Sequence, residues 1–232
     1  MNMRILLIKY LQESKYDKEI RVVVISGNGK AFCAGADIEE LYKVISTTHL
    51  EERKEAIENN TITDIGILIR SIEKPVIAAV HGYCFGGGLE LTQYCDLVYA
   101  TEDTLFSQPE INIGIIPGGG GTQNLPRIIG VKMAKELIFL GERINAETAI
   151  KLGLINKILK SEDEMESYVN SITEKITSKS ENAIAYAKRS INSSYEGPLN
   201  IGFALEREIA KNLYTSDKAY KLIKNFIQRK KN

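Results

Sequence analysis

Two glutamates in apolar company are the first residues that could do chemistry. Glu90 follows Gly86-Gly87-Gly88-Leu89 on an otherwise apolar helical stretch, and Glu110 is flanked by Phe106, Pro109, Ile111 and Ile113. A carboxylate in such surroundings is costly unless it is used or paired. Desolvation raises a carboxyl pKa and a neighbouring carboxylate raises it further, so two such groups can divide acid and base roles near neutral pH. A solvated or salt-bridged glutamate at the end of an element is the alternative, and periodicity does not choose between them.

The glycines before Glu90 leave bare N–H groups at the start of a helix, where they can approach a ligand closely and stabilise an oxyanion. A phosphate loop needs a Lys and a Ser or Thr after its glycines. Leu89 and Glu90 stand there instead, and Pro117-Gly118-Gly119-Gly120-Gly121-Thr122-Gln123 also lacks the lysine. Nucleotide binding is disfavoured, and a purely structural turn stays open for either cluster. Cys33, Cys84 and Cys95 have no paired metal-ligand spacing, and only His49 and His81 could join them. No metal centre is expected, and reduced thiols in a cytoplasm are the plain reading.

These residues need elements to hold them. Met1 to Glu13 reads as an amphipathic helix, and the β-branched run Arg21 to Gly27 suits a strand buried on both faces. A loop through Lys30 to Asp37 then leads into a helix with Ile38, Leu41, Tyr42 and Ile45 on one face, which puts Ala36 near its N-terminus. Between His49 and Glu73, the spacing of Ile65, Leu68, Ile69 and Ile72 predicts a longer helix ended by Pro75. Pro75 to Val80 is a buried strand, followed by the glycines and the helix that carries Glu90; Asp96 to Ala100 is a third strand. Further helices are expected over Lys132 to Leu140, Ala146 to Leu152, Glu162 to Thr177 and Glu181 to Ser194, with two more before the C-terminus. Strands in the first two thirds alternating with helices indicate an α/β core over 1–160 and an all-helical region over 161–232.

Composition narrows the partners. Of 232 residues, 44% are hydrophobic and 26% charged, the usage of a folded globular chain. Lys plus Arg and Asp plus Glu are 30 each, so no net field draws in nucleic acid or an anionic membrane. No apolar run approaches the roughly 20 residues of a membrane span.

Taken in order, Phe32-Cys33-Ala34-Gly35-Ala36-Asp37, Gly86-Gly87-Gly88-Leu89-Glu90, Gln108-Pro109-Glu110 and Pro117 to Gln123 resemble the crotonase, or enoyl-CoA hydratase/isomerase, superfamily. Ala146 to Lys157 is similar to the family's segment after the active site. The resemblance implies a spiral of ββα units with a C-terminal helical trimerisation region. It implies an oxyanion hole from the N–H groups of Ala36 and Gly87, with Ala34, Asp37, Ile38 and Gly118 toward an acyl-CoA thioester substrate. Glu90 and Glu110 become the catalytic pair of a hydratase, a hydro-lyase of the kind used in fatty-acid β-oxidation. No cofactor beyond the substrate's own coenzyme A is expected. The alternatives are a Δ3-Δ2-enoyl-CoA isomerase or other enolate-using relative, or a non-catalytic or RNA-binding member.

The family generally begins with a strand and an Asn-Arg-Pro turn ahead of the first helix here, so an N-terminal strand is expected to be missing and a sheet edge left open. The C-terminal stripes Ile201, Phe203, Ala204, Ile209 and Leu213, then Tyr220, Ile223 and Phe226, predict assembly with further copies, as a homotrimer or homohexamer.

Overall fold

Two four-stranded sheets carry the α/β core, and the computed structural model describes residues 3–47, 49–52 and 61–229. The first sheet is parallel throughout and runs β1 (Val23–Ser26), β3 (Val76–Val80), β5 (Leu97–Thr101), β8 (Lys157–Leu159). In the second, β2 (Ala31–Cys33), β4 (Tyr83–Phe85) and β6 (Leu105–Ser107) are parallel, and β7 (Arg143–Asn145) closes antiparallel on β6. The pairs β1-β2, β3-β4 and β5-β6 each give one strand to each sheet. They lead in turn into α2 (Ile38–Thr47), α4 (Gly87–Thr92) and a 3-10 helix (Pro109–Ile113). This is the ββα spiral that the sequence resemblance implied.

The strands correct the sequence reading in two places. β1 is not buried on both faces: it lies at the edge of its sheet, and Val24 is 44% exposed. The sequence also predicts no strand after Ala100, whereas β6, β7 and β8 follow it, with β8 completing the first sheet inside the 1–160 core. The four strands of the second sheet have three residues each, too few for a period of two to show against the surrounding loop.

β3 is buried along its whole length and separates two apolar layers. Val76, Ala78 and Val80 face the main core with Phe106, Leu89 and Leu125, whereas Ile77 and Ala79 face a second layer with Tyr99, Leu159, Met165 and Val169. The last two come from α8 (Glu162–Thr177), so the first helix of the C-terminal region covers the far face of the first sheet.

Around this core, α1 (Met3–Tyr16) packs on α3 (Ile62–Ser71), burying Leu11. Thr61 and Asp64 form a reciprocal capping box that starts α3. The helix stops at Ser71, before Pro75, and residues 53–60 of the longer helix expected from the sequence lie outside the described residues. Lys74, almost wholly buried, donates to the carbonyls of Ser14, Lys15 and Asp17 at the end of α1. The chain continues through α5 (Gly121–Ile129), α6 (Val131–Leu140) and α7 (Ala146–Lys151), then past α8 into α9 (Glu181–Glu196), α10 (Leu199–Tyr214) and α11 (Asp217–Arg229).

Candidate active site

Glu90 sits one turn into α4 and is 3% exposed. The helix begins there because β4 ends in a reversal at Gly86, whose φ of 52° and ψ of −123° belong to glycine. The Gly86 N–H donates to Ser107 O of β6 at 3.0 Å, which fixes the turn to the second sheet. Gly87 is the first helical residue, so its N–H lies outside the intrahelical ladder. The Gly35-Ala36 bend lies directly beside it: a Cβ built at Gly35 would stand 3.3 Å from Phe85 O. The two turns that the resemblance pairs as oxyanion donors are therefore neighbours.

The second glycine cluster cradles the acid. Gly119 N and Gly121 N both donate to Glu90 Oε1, at 2.7 and 2.8 Å, and orient the carboxylate. Tyr94 Oη donates to Gly119 O at 3.0 Å, and the Arg70 guanidinium lies 5.0 Å from the Tyr94 ring centroid. Neither Tyr94 nor Arg70 was singled out as a site residue from the sequence, since Tyr94 reads there as one more apolar position on a helix.

Glu110 arrives from the other side, on the 3-10 helix. Its Oε1 accepts from Gln108 Nε2 at 3.0 Å, and a Cβ at Gly86 would stand 3.1 Å from that same oxygen. Gln108 is itself fully buried, reaching Gly86 O and accepting from Gln93 Nε2, so one amide ties both acid-bearing elements to the turn. Its place before Pro109-Glu110 was visible in the sequence, but nothing there revealed a buried orienting amide. Glu110 Oε2 is buried and has no hydrogen-bond partner among the described residues. An orphaned acceptor on an acid is a place for a ligand or a proton.

Burial pushes both carboxyls above the ordinary carboxyl range. At Glu90 the amides of Gly121 and Gly119 oppose the rise, while the charge of Glu110 adds to it. At Glu110 the opposition comes from its own backbone N–H and from Gln108.

The remaining residues implied by the resemblance flank these turns in the chain. Ala34, Ala36 and Gly118 are exposed, and Ile38 opens α2 at 55% exposure. Asp37 accepts from the N–H groups of Glu39 and Glu40, at 2.9 and 3.1 Å, so its carboxylate caps α2. Gly118 O accepts from Thr63 Oγ1 at 3.3 Å. Among the described residues no group of three or more His, Cys, Asp or Glu could hold a metal ion, and no helix is long and apolar enough to cross a membrane.

The site thus brings two desolvated carboxyls beside a pair of amide-bearing turns. The chain belongs to the enoyl-CoA hydratase/isomerase family, whose profile matches residues 2–232. It is 42% identical over 202 residues to a probable mitochondrial enoyl-CoA hydratase of Dictyostelium discoideum, covering 87% of this chain and 69% of that one. Against a short-chain-enoyl-CoA hydratase of Clostridium acetobutylicum it is 36% identical, covering 94% and 82%. The solved enoyl-CoA hydratase of Bacillus anthracis superposes with a TM-score of 0.89 at 32% identity, over 97% of this chain and 85% of that structure.

Proposed function

We propose that this chain is an enoyl-CoA hydratase, adding water reversibly across the α,β double bond of an enoyl-CoA thioester. The observation that carries the reading is the Glu90–Glu110 pair at one glycine turn, each acid held by its own donors and each raised by burial. Family membership and the relatives' names support it.

In this mechanism the thioester carbonyl accepts from the N–H groups of Gly87 and Ala36, which withdraws electrons from Cβ and stabilises the enolate formed on addition. Glu90 takes a proton from water as the oxygen bonds to Cβ, and Glu110 gives its proton to Cα, leaving a 3-hydroxyacyl thioester. One proton then passes from Glu90 back to Glu110 or through solvent, restoring the pair. Two amide donors favour the ionised form of Glu90, whereas Glu110 has an oxygen with no donor; this supports Glu90 as base and Glu110 as acid. The two titrate as a pair.

The substrate is bound without a further cofactor, with Ala34, Asp37, Ile38 and Gly118 as contacts to the acyl-CoA thioester. Three free thiols support a reducing, cytoplasmic setting. Exposed Leu199, Ile201, Phe203, Tyr214, Tyr220 and Ile223 on α10 and α11 support a homotrimer or homohexamer. Loss of conjugated-thioester absorbance when the purified chain meets crotonyl-CoA tests the reaction; no loss, with the chain folded, refutes it. A monomer in sedimentation at micromolar concentration refutes the assembly.

A further inference from the structure

Ile62 occupies the space that side chains at two active-site glycines would take. A Cβ built at Gly87 would stand 3.2 Å from Ile62 Cγ1 and 3.6 Å from its Cδ1. A Cβ built at Gly119 would stand 2.6 Å from Ile62 Cβ, 2.8 Å from its Cγ2 and 2.5 Å from Glu90 Oε2. The side chain therefore runs from the proposed carbonyl-binding amide to the edge of the Glu90 carboxylate.

Its backbone has little freedom to yield. Ile62 is the first residue of α3, between the Thr61–Asp64 capping box and Thr63, whose Oγ1 donates to Gly118 O. Half-buried, it packs against the main core on its inner side. A β-branched side chain has few rotamers by which to move aside. Ile62 is thus an apolar side chain held beside both Gly87 and the Gly119 turn that cradles Glu90.

We propose that Ile62 gauges the substrate, its bulk setting how much substitution at Cα and Cβ of the enoyl thioester the site accepts. The inference rests on the hydratase reading, which places the carbonyl oxygen at Gly87 and Cβ near Glu90. The carbons between those points then pass alongside Ile62, with its Cγ1 and Cδ1 toward the carbonyl end and its Cβ and Cγ2 toward the hydrated end. An unbranched enoyl group passes this side chain, whereas a methyl branch directed at it collides.

The test is a selectivity ratio. The kcat/KM for 2-methylcrotonyl-CoA and for 3-methylcrotonyl-CoA, each divided by that for crotonyl-CoA, is measured for the unaltered chain, Ile62→Ala and Ile62→Val. Fit in an apolar pocket changes such ratios by about 10- to 200-fold per methylene, so Ile62→Ala should raise at least one ratio about tenfold or more. Ile62→Val, a smaller cut, should move it in the same direction and covers the case in which the alanine variant does not fold. A general loss of stability lowers all three rates together and leaves the ratios alone. Ratios within about twofold of the unaltered chain in every folded variant overturn the gauge while leaving the hydratase reading intact. An unaltered chain that hydrates branched thioesters as fast as crotonyl-CoA also overturns it. Failure of the unaltered chain to hydrate crotonyl-CoA refutes the hydratase reading, and the gauge falls with it.

Discussion

Gly119 and Glu90 share one oxygen contact: the Gly119 N–H donates to Glu90 Oε1 at 2.7 Å, and Gly121 N donates to the same atom from two residues on. The turn is thus a holder for the acid, and it works only without a Cβ at Gly119. An added methyl there would stand 2.5 Å from Glu90 Oε2 and 2.6 Å from Ile62 Cβ, below any distance a real Cβ adopts. Gly119→Ala must therefore displace the carboxylate, Ile62 or the turn. A misplacement of about 1 Å at a reacting group costs on the order of 10²-fold. We expect kcat to fall by about that factor with circular dichroism unchanged; near-normal turnover would show that Glu90 needs no such holder.

That relationship marks where the sequence stops being legible. Glu90 and Glu110 stood out because charge among apolar residues is costly, and the buried run of β3 stood out because five β-branched or small residues follow Pro75. The role of Pro117 to Gly121 did not, since a glycine run has no side chains to pattern. Gln108 and Tyr94 were equally silent, because their partners lie across chain gaps that only the folded sheets close. β1 was misread because a β-branched run looks the same at a sheet edge as at its centre.

Gly87→Pro removes the N–H proposed as an oxyanion donor while keeping a residue suited to the first helical position. Its proper reference is Gly87→Ala, which keeps the N–H and makes the same contact with Ile62. Gly120 cannot serve as a neutral reference, because a Cβ there would stand 2.0 Å from Tyr94 Oη. A lost oxyanion donor costs on the order of 10² to 10³ in kcat, so the proline variant should be slower than the alanine variant by about that factor. Equal rates in two folded variants would make the turn structural only.

Glu110→Gln should slow hydration by about 10²- to 10⁴-fold, the usual contribution of a general acid. The same change should stabilise the fold at neutral and alkaline pH. Burial raises the Glu110 carboxyl above its ordinary value, so across that window the folded chain binds more protons than the unfolded one. Stability then falls as pH rises through the window and stays lowered above it. Glutamine carries no charge to desolvate and can still accept from Gln108. The Tm of Glu110→Gln should therefore exceed that of the unaltered chain at pH 8, with the gap closing toward about pH 4, near the ordinary carboxyl pKa. A lower Tm at pH 8, or a gap independent of pH, would contradict the burial account.

Lys188 ties α9 to the core. From α9 its Nζ donates to Asp96 Oδ2 at 2.7 Å and to the carbonyls of Ile69 and Lys74, and Asp96 Oδ2 also accepts from Val76 N at the start of β3. The Lys188 side chain is 7% exposed and that of Asp96 22%, so truncating the lysine leaves a largely buried carboxylate without its counter-charge. Breaking a buried pair in this way costs about 3–5 kcal/mol, and the partial exposure of Asp96 places Lys188→Ala toward the lower end. Removing both charges in Lys188→Met with Asp96→Asn leaves no uncompensated ion, so the double variant should recover much of that loss in urea unfolding. Single and double variants equally destabilised would mean that α9 is held by packing and by the two carbonyl contacts, with the ion pair incidental.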